Sequence, residues 1–233
     1  MEQRKELILN TIIKEYIKTG APVGSSILVN KYKLNISSAT VRNVMSDLEE
    51  AGFICQPYTS AGRVPTELAY NLYLKNLKSK KLSENKISLL KNNLQNLNID
   101  SETKLKKTAK IIAELSQNAV FWAIHRHNLY YTGISNLFQQ PEFTQTNLVY
   151  DISVIIDRME EIIDEIFDDL KDGSQIMIGS KNPFGAFCGT ILVKYKLKNN
   201  TGLFGILGPM RMDYASNLGV VEYTLSQLKI DNG

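Results

Sequence analysis

The chain has 233 residues, of which 43% are hydrophobic and 22% are charged, and its formal net charge is +3. This composition is typical of a globular protein that is long enough to bury a sizeable core, and it excludes a disordered chain. The longest apolar runs fall far short of the roughly 20 residues that span a bilayer, and no signal peptide precedes the first predicted helix, so we expect a cytoplasmic protein without a membrane partner.

The charge is unevenly distributed along the chain. Residues 1–81 carry a net charge of +5, residues 82–117 carry +2, and residues 118–233 carry −4. A basic amino-terminal part joined to an acidic carboxy-terminal part predicts that the first part binds a polyanion and that the second part has another task.

Three helices are predicted in the first fifty residues, at Glu2–Thr19, from Ser25 or Ser26 to Lys33, and at Ser37–Glu50. A tight turn separates the second helix from the third, as a helix-turn-helix requires. Helical spacing predicts the following inward-facing residues: Leu7, Ile8, Ile12, Ile13 and Tyr16, then Ile27, Leu28 and Tyr32, then Val41, Val44, Met45 and Leu48.

The third predicted helix has a polar face, which consists of Ser38, Thr40, Arg42, Asn43 and Ser46. Short hydroxyl and amide groups with one guanidinium are suited to hydrogen bonds with base edges and phosphates. Periodicity alone fits an ordinary amphipathic helix with a solvated polar face equally well, so the neighbouring segments have to decide between the two interpretations.

A small hairpin is predicted directly after the third helix. Phe53–Gln56 and Arg63–Val64 can pair as two strands, with Thr59–Gly62 at the tip. A hairpin in this position is a wing, whose hydroxyls and Arg63 can contact phosphates or the minor groove, although small polar residues are also simply good turn formers. Thr66 is then expected to cap a fourth helix from Glu67 to about Lys78, with Leu68, Leu72 and Leu77 facing inward.

Three runs in this part of the chain resemble the HrcA family of heat-inducible transcription repressors, namely Glu15–Ser25, Ser37–Asn43 and Pro57–Thr66. The resemblance implies a winged helix-turn-helix that represses heat-shock (chaperone) operons by binding double-stranded DNA at an inverted-repeat operator. It also implies that a GroEL-type chaperonin supports the active form of the repressor. An inverted repeat requires two reader helices related by a two-fold axis, so a homodimer is expected.

On this interpretation the DNA-binding residues lie on the reader helix and on the wing. Arg42 is the candidate for a guanine contact and Asn43 for an adenine contact, whereas Ser37 caps the helix. The complete predicted set is Ser37, Ser38, Thr40, Arg42, Asn43, Ser46, Tyr58, Thr59, Ser60 and Arg63.

Residues 81–117 are predicted to be a helical linker. Ile87, Leu90, Leu94 and Leu97 have the spacing of a coiled-coil seam, but two heptads fit a helix packed on its own domain equally well. A second helix has an apolar stripe opposite a lysine-rich side that either faces water or contacts phosphate. That stripe consists of Leu105, Ala109, Ile112 and Leu115, and the lysines are Lys104, Lys106, Lys107 and Lys110.

The remaining residues, 118–233, are predicted to form an α+β domain that follows the winged helix-turn-helix domain of residues 1–80. A mixed sheet of about five strands is expected from Val120–Ile124, Leu129–Thr132, Gln175–Gly179, Cys188–Lys196 and Gly202–Leu207. The predicted helices are a long acidic helix at Asp151–Lys171 and a final helix capped by Asp213 that runs through Leu228.

The resemblance extends to this domain through Asn136–Phe143 and Gly205–Ala215, and it implies a GAF-like fold. Family members usually carry an inserted segment between the first strand of the domain and the Asn136–Phe143 run, and this segment helps them to dimerise. Here about ten residues separate the two, so the insertion is absent. A dimer would then have to use the carboxy-terminal sheet or the Ile87–Leu97 helix.

No catalytic constellation is evident, so neither an enzyme nor a cofactor is expected. Cys55 and Cys188 lie far apart without metal-ligand spacing, which favours a reducing compartment. His125 and His127 could provide two metal ligands, but a third is not evident and turn histidines are the simpler interpretation. Two candidate sites are weaker. The Gly205–Arg211 segment is either a ligand-binding lip or a simple Gly-Pro turn. The other candidate is a cation site or merely a solvated helix face, formed by the acidic residues Asp164, Glu165, Asp168 and Asp169.

Two other functional classes stay open from the sequence. One is a winged-helix regulator whose GAF-like domain binds a metabolite, and the other is an enzyme or adaptor that uses a winged helix for protein contacts. We expect a repressor that is released from its operator by heat, through thermal unfolding of the repressor and titration of the chaperonin.

Overall fold

The structure is a computed structural model that describes residues 2–33, 35–94, 101–125, 128–144, 146–197 and 200–230. The chain divides into two compact units, Met1–Leu77 and Lys78–Gly233, which we call unit 1 and unit 2. Two sequence-based expectations concern His127 and Leu97, and both residues lie outside the described ranges.

Unit 1 has the helices and the hairpin that the sequence predicts. Its elements are α1 (Gln3–Thr19), α2 (Ser25–Tyr32), α3 (Ser38–Glu50), β1 (Ile54–Cys55), β2 (Val64–Pro65) and α4 (Glu67–Lys75). The two short strands pair antiparallel, with Ile54 opposite Pro65 and Cys55 opposite Val64. Three helices followed by a two-stranded hairpin are the element order of a winged helix-turn-helix.

The ends of α3 follow the predicted signals. The Ser37 side chain accepts a hydrogen bond from the Thr40 backbone N–H at 3.0 Å, so Ser37 is the N-cap. At the other end Gly52 has a φ of +77°, a left-handed conformation that glycine adopts without penalty, and the helix stops there. Thr66 differs from the prediction: its hydroxyl donates to the carbonyls of Gly52 and Phe53, and it makes no side-chain cap to α4.

The predicted inward residues of unit 1 are buried or half-buried, with three exceptions. Leu7, Ile27 and Leu68 are exposed, whereas Leu9, Ala69 and Tyr70 are buried in α1 and α4. An apolar stripe with helical spacing is wider than the surface a small domain covers, so residues at its edge can remain in water.

Unit 2 contains a five-stranded sheet and the remaining helices of the described ranges. Its helices are α5 (Glu84–Leu94), α6 (Ser101–Ser116), α7 (Ile134–Phe138), a 3₁₀ helix (Pro141–Thr144), α8 (Thr146–Asp157), α9 (Met159–Phe167), a short 3₁₀ turn (Gly179–Lys181) and α10 (Tyr214–Ile230). Its strands are β3 (Ala119–His125), β4 (Asn128–Thr132), β5 (Gly173–Ile178), β6 (Cys188–Leu197) and β7 (Asn200–Pro209).

The strand order is β4-β3-β7-β6-β5, and every neighbouring pair is antiparallel. The predicted strands and the α+β class are confirmed, but the sheet is antiparallel and not mixed. The reason lies in the connections, because β3 and β4 form one hairpin and β6 and β7 form another, and β7 then pairs antiparallel with β3.

Helices cover both faces of the sheet. On one face Phe121, Leu192 and Leu207 join a buried cluster with residues of α7, α8 and α9. On the other face Trp122 stacks on Phe204 with ring centroids 4.5 Å apart, and its indole N–H donates to the Tyr195 hydroxyl at 2.7 Å. Alternate residues of each strand therefore belong to two separate cores, as a sheet buried on both faces requires.

The helices that were predicted to be a linker belong to unit 2. Leu90 and Leu94 of α5 are buried, as are Leu105, Ala109 and Ile112 of α6. The apolar stripe of α5 therefore packs within its own unit and is not available as a coiled-coil seam.

The predicted Asp151–Lys171 helix is interrupted. Its first part, α8, ends at Asp157, and α9 begins at Met159, because Arg158 has φ and ψ of −97° and 8°, outside the helical range. The carboxy-terminal helix is capped as predicted, since an Asp213 carboxylate oxygen accepts from the Ser216 N–H at 3.1 Å. None of the helices in the described ranges is long and apolar enough to cross a membrane.

Candidate nucleic-acid interface

The start of α2, the polar face of α3 and the wing surround an open groove of about 540 Å³ in unit 1. Ser25 and Ser26 line it from α2, Arg42 and Ser46 from α3, and Ser60 and Arg63 from the wing. The groove thus brings together two segments that the sequence predicted to bind DNA, and it adds the beginning of α2, which was not among the predicted site residues.

The polar face of α3 presents three exposed side chains, those of Arg42, Asn43 and Ser46. They are held outward because Val41, Met45 and Leu48 on the opposite face are buried in the core of unit 1. A guanidinium, an amide and a hydroxyl on one rigid helical face are the groups that read base edges in a major groove.

The other predicted residues of α3 have roles within the protein. The Ser38 hydroxyl is half-buried and lies 3.0 Å from the Ser25 hydroxyl, which ties α3 to the beginning of α2. Thr40 is half-buried, and its hydroxyl lies 2.9 Å from that of Ser37. These contacts fix the amino-terminal turn of α3, so Ser37, Ser38 and Thr40 act on its orientation.

The wing is fastened to the segment between α1 and α2. The Val23 N–H donates to the Arg63 carbonyl and the Arg63 N–H donates to the Val23 carbonyl, both at 2.9 Å. A Cβ added to Gly62 would lie 2.5 Å from the Val23 carbonyl carbon, so this close approach requires glycine. The local sequence pattern around Gly62 predicts a turn and does not indicate this long-range contact.

The Arg63 side chain points to α3 and not outward. Its Nε donates to Glu49 Oε2 at 2.9 Å, Nη2 lies 2.9 Å from the same oxygen, and Nη1 donates to the Ala61 carbonyl at 3.4 Å. The phosphate contact of Arg63 stays a prediction, since these contacts do not use all five N–H donors of the guanidinium. Within unit 1, Arg63 holds the wing against the end of α3.

The tip of the wing is exposed. Tyr58 is 66% exposed, and Thr59 and Ser60 are also exposed. The Ala61 N–H donates to the Tyr58 carbonyl at 3.0 Å, which closes the turn, and Ser60 has a φ of +66°. The phenol and the two hydroxyls are therefore presented together on a fixed turn, where they can donate hydrogen bonds to phosphate oxygens.

A buried carboxylate joins α1 to α2. Glu15 is 4% exposed, and it accepts from Lys31 Nζ at 2.5 Å and from the Tyr32 hydroxyl at 2.7 Å. The hydrogen bond from Lys31 holds the pKa of Glu15 below its ordinary value, with a smaller contribution from Tyr32. Sequence reasoning missed this cluster, although Glu15 follows Ile12 by three residues and so lies on the buried face of α1.

One of the weaker candidate sites in unit 2, the Gly205–Arg211 lip, has a structural explanation. Arg211 donates to both carboxylate oxygens of Glu142 and to the Gln140 side chain, so it joins the two runs that resemble HrcA in this unit. This arrangement favours a structural Gly-Pro turn over a ligand-binding lip. His127 and the side chain of His125 lie outside the described residues, and no group of metal-ligating side chains occurs within the described ones.

The chain therefore combines two units. Unit 1 has the element order of a winged helix-turn-helix, and unit 2 is an α+β unit that resembles a GAF domain, an architecture found in regulatory proteins. The model of the HrcA protein carboxy-terminal domain matches residues 63–217, which is about two thirds of the chain. The chain belongs to the HrcA family.

Relatives named heat-inducible transcription repressor HrcA match the chain either over nearly its whole length or over part of it. The protein of Carboxydothermus hydrogenoformans is 26% identical over 327 aligned positions that cover 96% of both chains. Shorter matches are those of Desulforamulus reducens, 44% identical over 117 residues, and Pelotomaculum thermopropionicum, 34% identical over 168 residues. These two cover 50% and 71% of this chain but only 34% and 48% of the relatives' own length.

The length of the full alignment bears on the inserted segment. It runs over 327 positions, whereas this chain has 233 residues, so more than ninety positions of the relative have no counterpart here. A difference of more than ninety positions is expected if the inserted segment of the family is absent from this chain. A solved structure titled as a hypothetical protein at 2.2 Å resolution covers 100% of this chain and 98% of its own, with a TM-score of 0.80 and 18% identity, which supports the fold alone.

Proposed function

We propose that the chain is a sequence-specific DNA-binding repressor of heat-shock (chaperone) operons in the cytoplasm. The observation that carries the proposal is the position of Arg42, Asn43 and Ser46, which are exposed together on α3 beside a wing fastened to the same unit. Relatives named heat-inducible transcription repressors support the biological role.

In this proposal α3 enters the major groove and the wing contacts the adjacent backbone. Arg42 donates to guanine O6 and N7, Asn43 pairs with adenine, and Ser46 contributes a hydroxyl further along the helix. Tyr58, Thr59 and Ser60 bind phosphates, whereas Ser37, Ser38, Thr40 and Arg63 fix the positions of the reader helix and the wing. No catalytic step is part of the mechanism.

The operator is an inverted repeat, and two chains bind it as a homodimer. The α5 stripe that could have formed a seam is buried, since Leu90 and Leu94 are 0% and 2% exposed. We therefore assign the dimer contact to the sheet of unit 2. Sedimentation of the protein on operator DNA should give two chains for each duplex, and one chain for each duplex would contradict this part of the proposal.

Heat releases the repressor because the active fold is only marginally stable and depends on a GroEL-type chaperonin that unfolded proteins recruit during stress. Chaperonin added to the purified protein should increase the fraction that shifts a chaperone-operon promoter in a gel. A thermal midpoint far above the host's heat-shock temperature, unchanged by chaperonin, would contradict this mechanism of release.

Sequence reading by α3 is tested with Arg42→Ala and a matched control, Arg4→Ala. Both replacements remove one exposed arginine from unit 1, but Arg4 lies on α1, outside the groove. Arg42→Ala should weaken operator binding about 5- to 150-fold, as expected for the loss of a bidentate base contact, and should relax the preference at one base pair. If both variants weaken binding equally, the reader assignment is wrong.

A further inference from the structure

A small basic pocket lies in unit 2. It has a volume of about 180 Å³ and is lined by Lys80, Lys81, Leu82, Ser83, Lys86 and Ser216. Three ammonium groups around one concavity form a strong local concentration of positive charge. Among the described residues, these three lysine side chains have no ion-pair partner.

The lysine segment is held in place by α10. The Lys80 N–H donates to the Ala215 carbonyl at 2.8 Å, and a Cβ on Gly219 would collide with the Lys80 carbonyl oxygen. Gly219 therefore allows the chain at Lys80 to lie directly on the helix. Because α10 fixes the backbone at Lys80, the pocket is part of the folded structure of unit 2 and not merely a run of lysines in water.

Helix α5 begins at the pocket, and its amino terminus adds to the attraction of the pocket for anions. Ser83 precedes α5, and its carbonyl accepts from the Ile87 N–H at 3.0 Å, while Ser216 lies in the first turn of α10. Helix amino termini favour negative charge. The amino terminus of α10 contributes nothing to this attraction, because the Ser216 N–H and hydroxyl already donate to the two oxygens of the Asp213 carboxylate.

We propose that this pocket binds a phosphate group. Three lysines and the Ser83 hydroxyl supply the donors and the charge that a phosphate of one or two negative charges requires. The volume is below the 300–1,000 Å³ that is usual for a drug-sized ligand, so the pocket receives a phosphate and not a whole cofactor. The phosphate belongs either to the DNA backbone or to a free phosphorylated molecule.

The decisive comparison uses two triple variants of the full chain. The pocket variant is Lys80→Gln, Lys81→Gln and Lys86→Gln. The control variant is Lys91→Gln, Lys107→Gln and Lys110→Gln, which removes the same charge from exposed positions of unit 2. Lys80 and Lys81 are exposed and Lys86 is half-buried, and the double variant of the two exposed lysines serves if the triple variant fails to fold.

The first arm uses inorganic phosphate, with chloride at matched ionic strength as the reference. If the source is a free phosphate, it should raise the thermal midpoint of the wild type and of the control variant but not that of the pocket variant. This arm contains no DNA, so it stands even if the proposed repressor function fails.

The second arm rests on the proposed function and measures the salt dependence of DNA binding. If the source is the DNA backbone, the slope of log K against log salt concentration should fall by about 0.9 for each lost phosphate contact in the pocket variant and stay unchanged in the control. The proposal is overturned if the pocket and control variants behave alike in both arms.

Discussion

Arg63 of the wing and Glu49 of α3 form an ion pair in which two guanidinium nitrogens lie 2.9 Å from one carboxylate oxygen. The pair joins the end of the reader helix to the base of the wing, fourteen residues further along the chain. Because both side chains are partly exposed, the ion pair contributes only modestly to the free energy of folding, but it fixes the angle between α3 and the wing.

Glu49→Gln should lower the free energy of unfolding by about 0.2–1 kcal/mol, which is the range for partly exposed ion pairs. A double-mutant cycle with Arg63→Gln should recover a coupling of that size in chemical denaturation. Arg63→Gln should also weaken operator binding without changing its salt dependence. A salt slope that falls by about 0.9 would instead identify Arg63 as a phosphate contact and would contradict the positioning role.

Gly62→Ala should detach the wing, because the added Cβ would lie within 2.7 Å of three backbone atoms of Val23. We expect the free energy of unfolding to fall by about 1–3 kcal/mol and the affinity for the operator to fall with it. Urea denaturation measures the free energy of unfolding, and a gel shift measures the affinity for the operator.

The matched control is Gly24→Ala, where the nearest atom to the new Cβ is Ser26 Oγ at 3.9 Å. Gly24 has a φ of −91°, which any residue adopts, so the replacement should change the free energy of unfolding by about 0.5 kcal/mol or less. Equal losses in the two alanine variants would show that the wing is not held by this close approach.

The buried Glu15 carboxylate should make stability depend on pH in the acid range. Because the Lys31 hydrogen bond lowers its pKa in the folded chain, the carboxylate stabilises the fold above its unfolded pKa, and this contribution is lost as the pH falls through the folded value. Wild type should therefore lose stability below about pH 4.5 more steeply than Glu15→Gln. Denaturation curves that stay parallel for the two proteins between pH 3 and pH 7 would rule out this linkage.

The two cysteines should differ sharply in reactivity. Cys55 is exposed on the wing, whereas Cys188 is buried in the sheet, where burial raises the pKa of its thiol to about 12. Since the thiolate is the reactive form, a thiol reagent at pH 8 should modify Cys55 in the folded protein and Cys188 only after denaturation. Rapid modification of both thiols in the native protein would show that the core around Cys188 is open.

The order of helices and strands could be predicted because it depends on local signals. Apolar spacing gives the elements, and residues such as Ser37, Gly52 and Asp213 mark their ends. The exact buried face could not be predicted as well, since Leu7 and Leu68 are apolar but exposed. Which edge of a stripe is covered depends on the neighbouring elements, and a single helix does not contain that information.

The candidate site could be predicted only in part, for a related reason. Arg42 and Asn43 are exposed as expected, because the buried residues of their own helix determine the side on which they lie. The partners of charged groups depend instead on long-range packing. Glu49, which binds Arg63, and Lys31, which binds Glu15, are distant in sequence from these partners, and no local pattern indicates either pair.

We propose that the exposed face of α3 reads a DNA sequence. Fluorescence anisotropy of the wild-type chain at physiological salt should therefore be measured on an inverted-repeat duplex from a chaperone-operon promoter and on a scrambled duplex of the same length. Binding to the inverted repeat should be tighter than binding to the scrambled duplex by about 10³-fold or more. Equal affinity for the two duplexes would contradict this proposal.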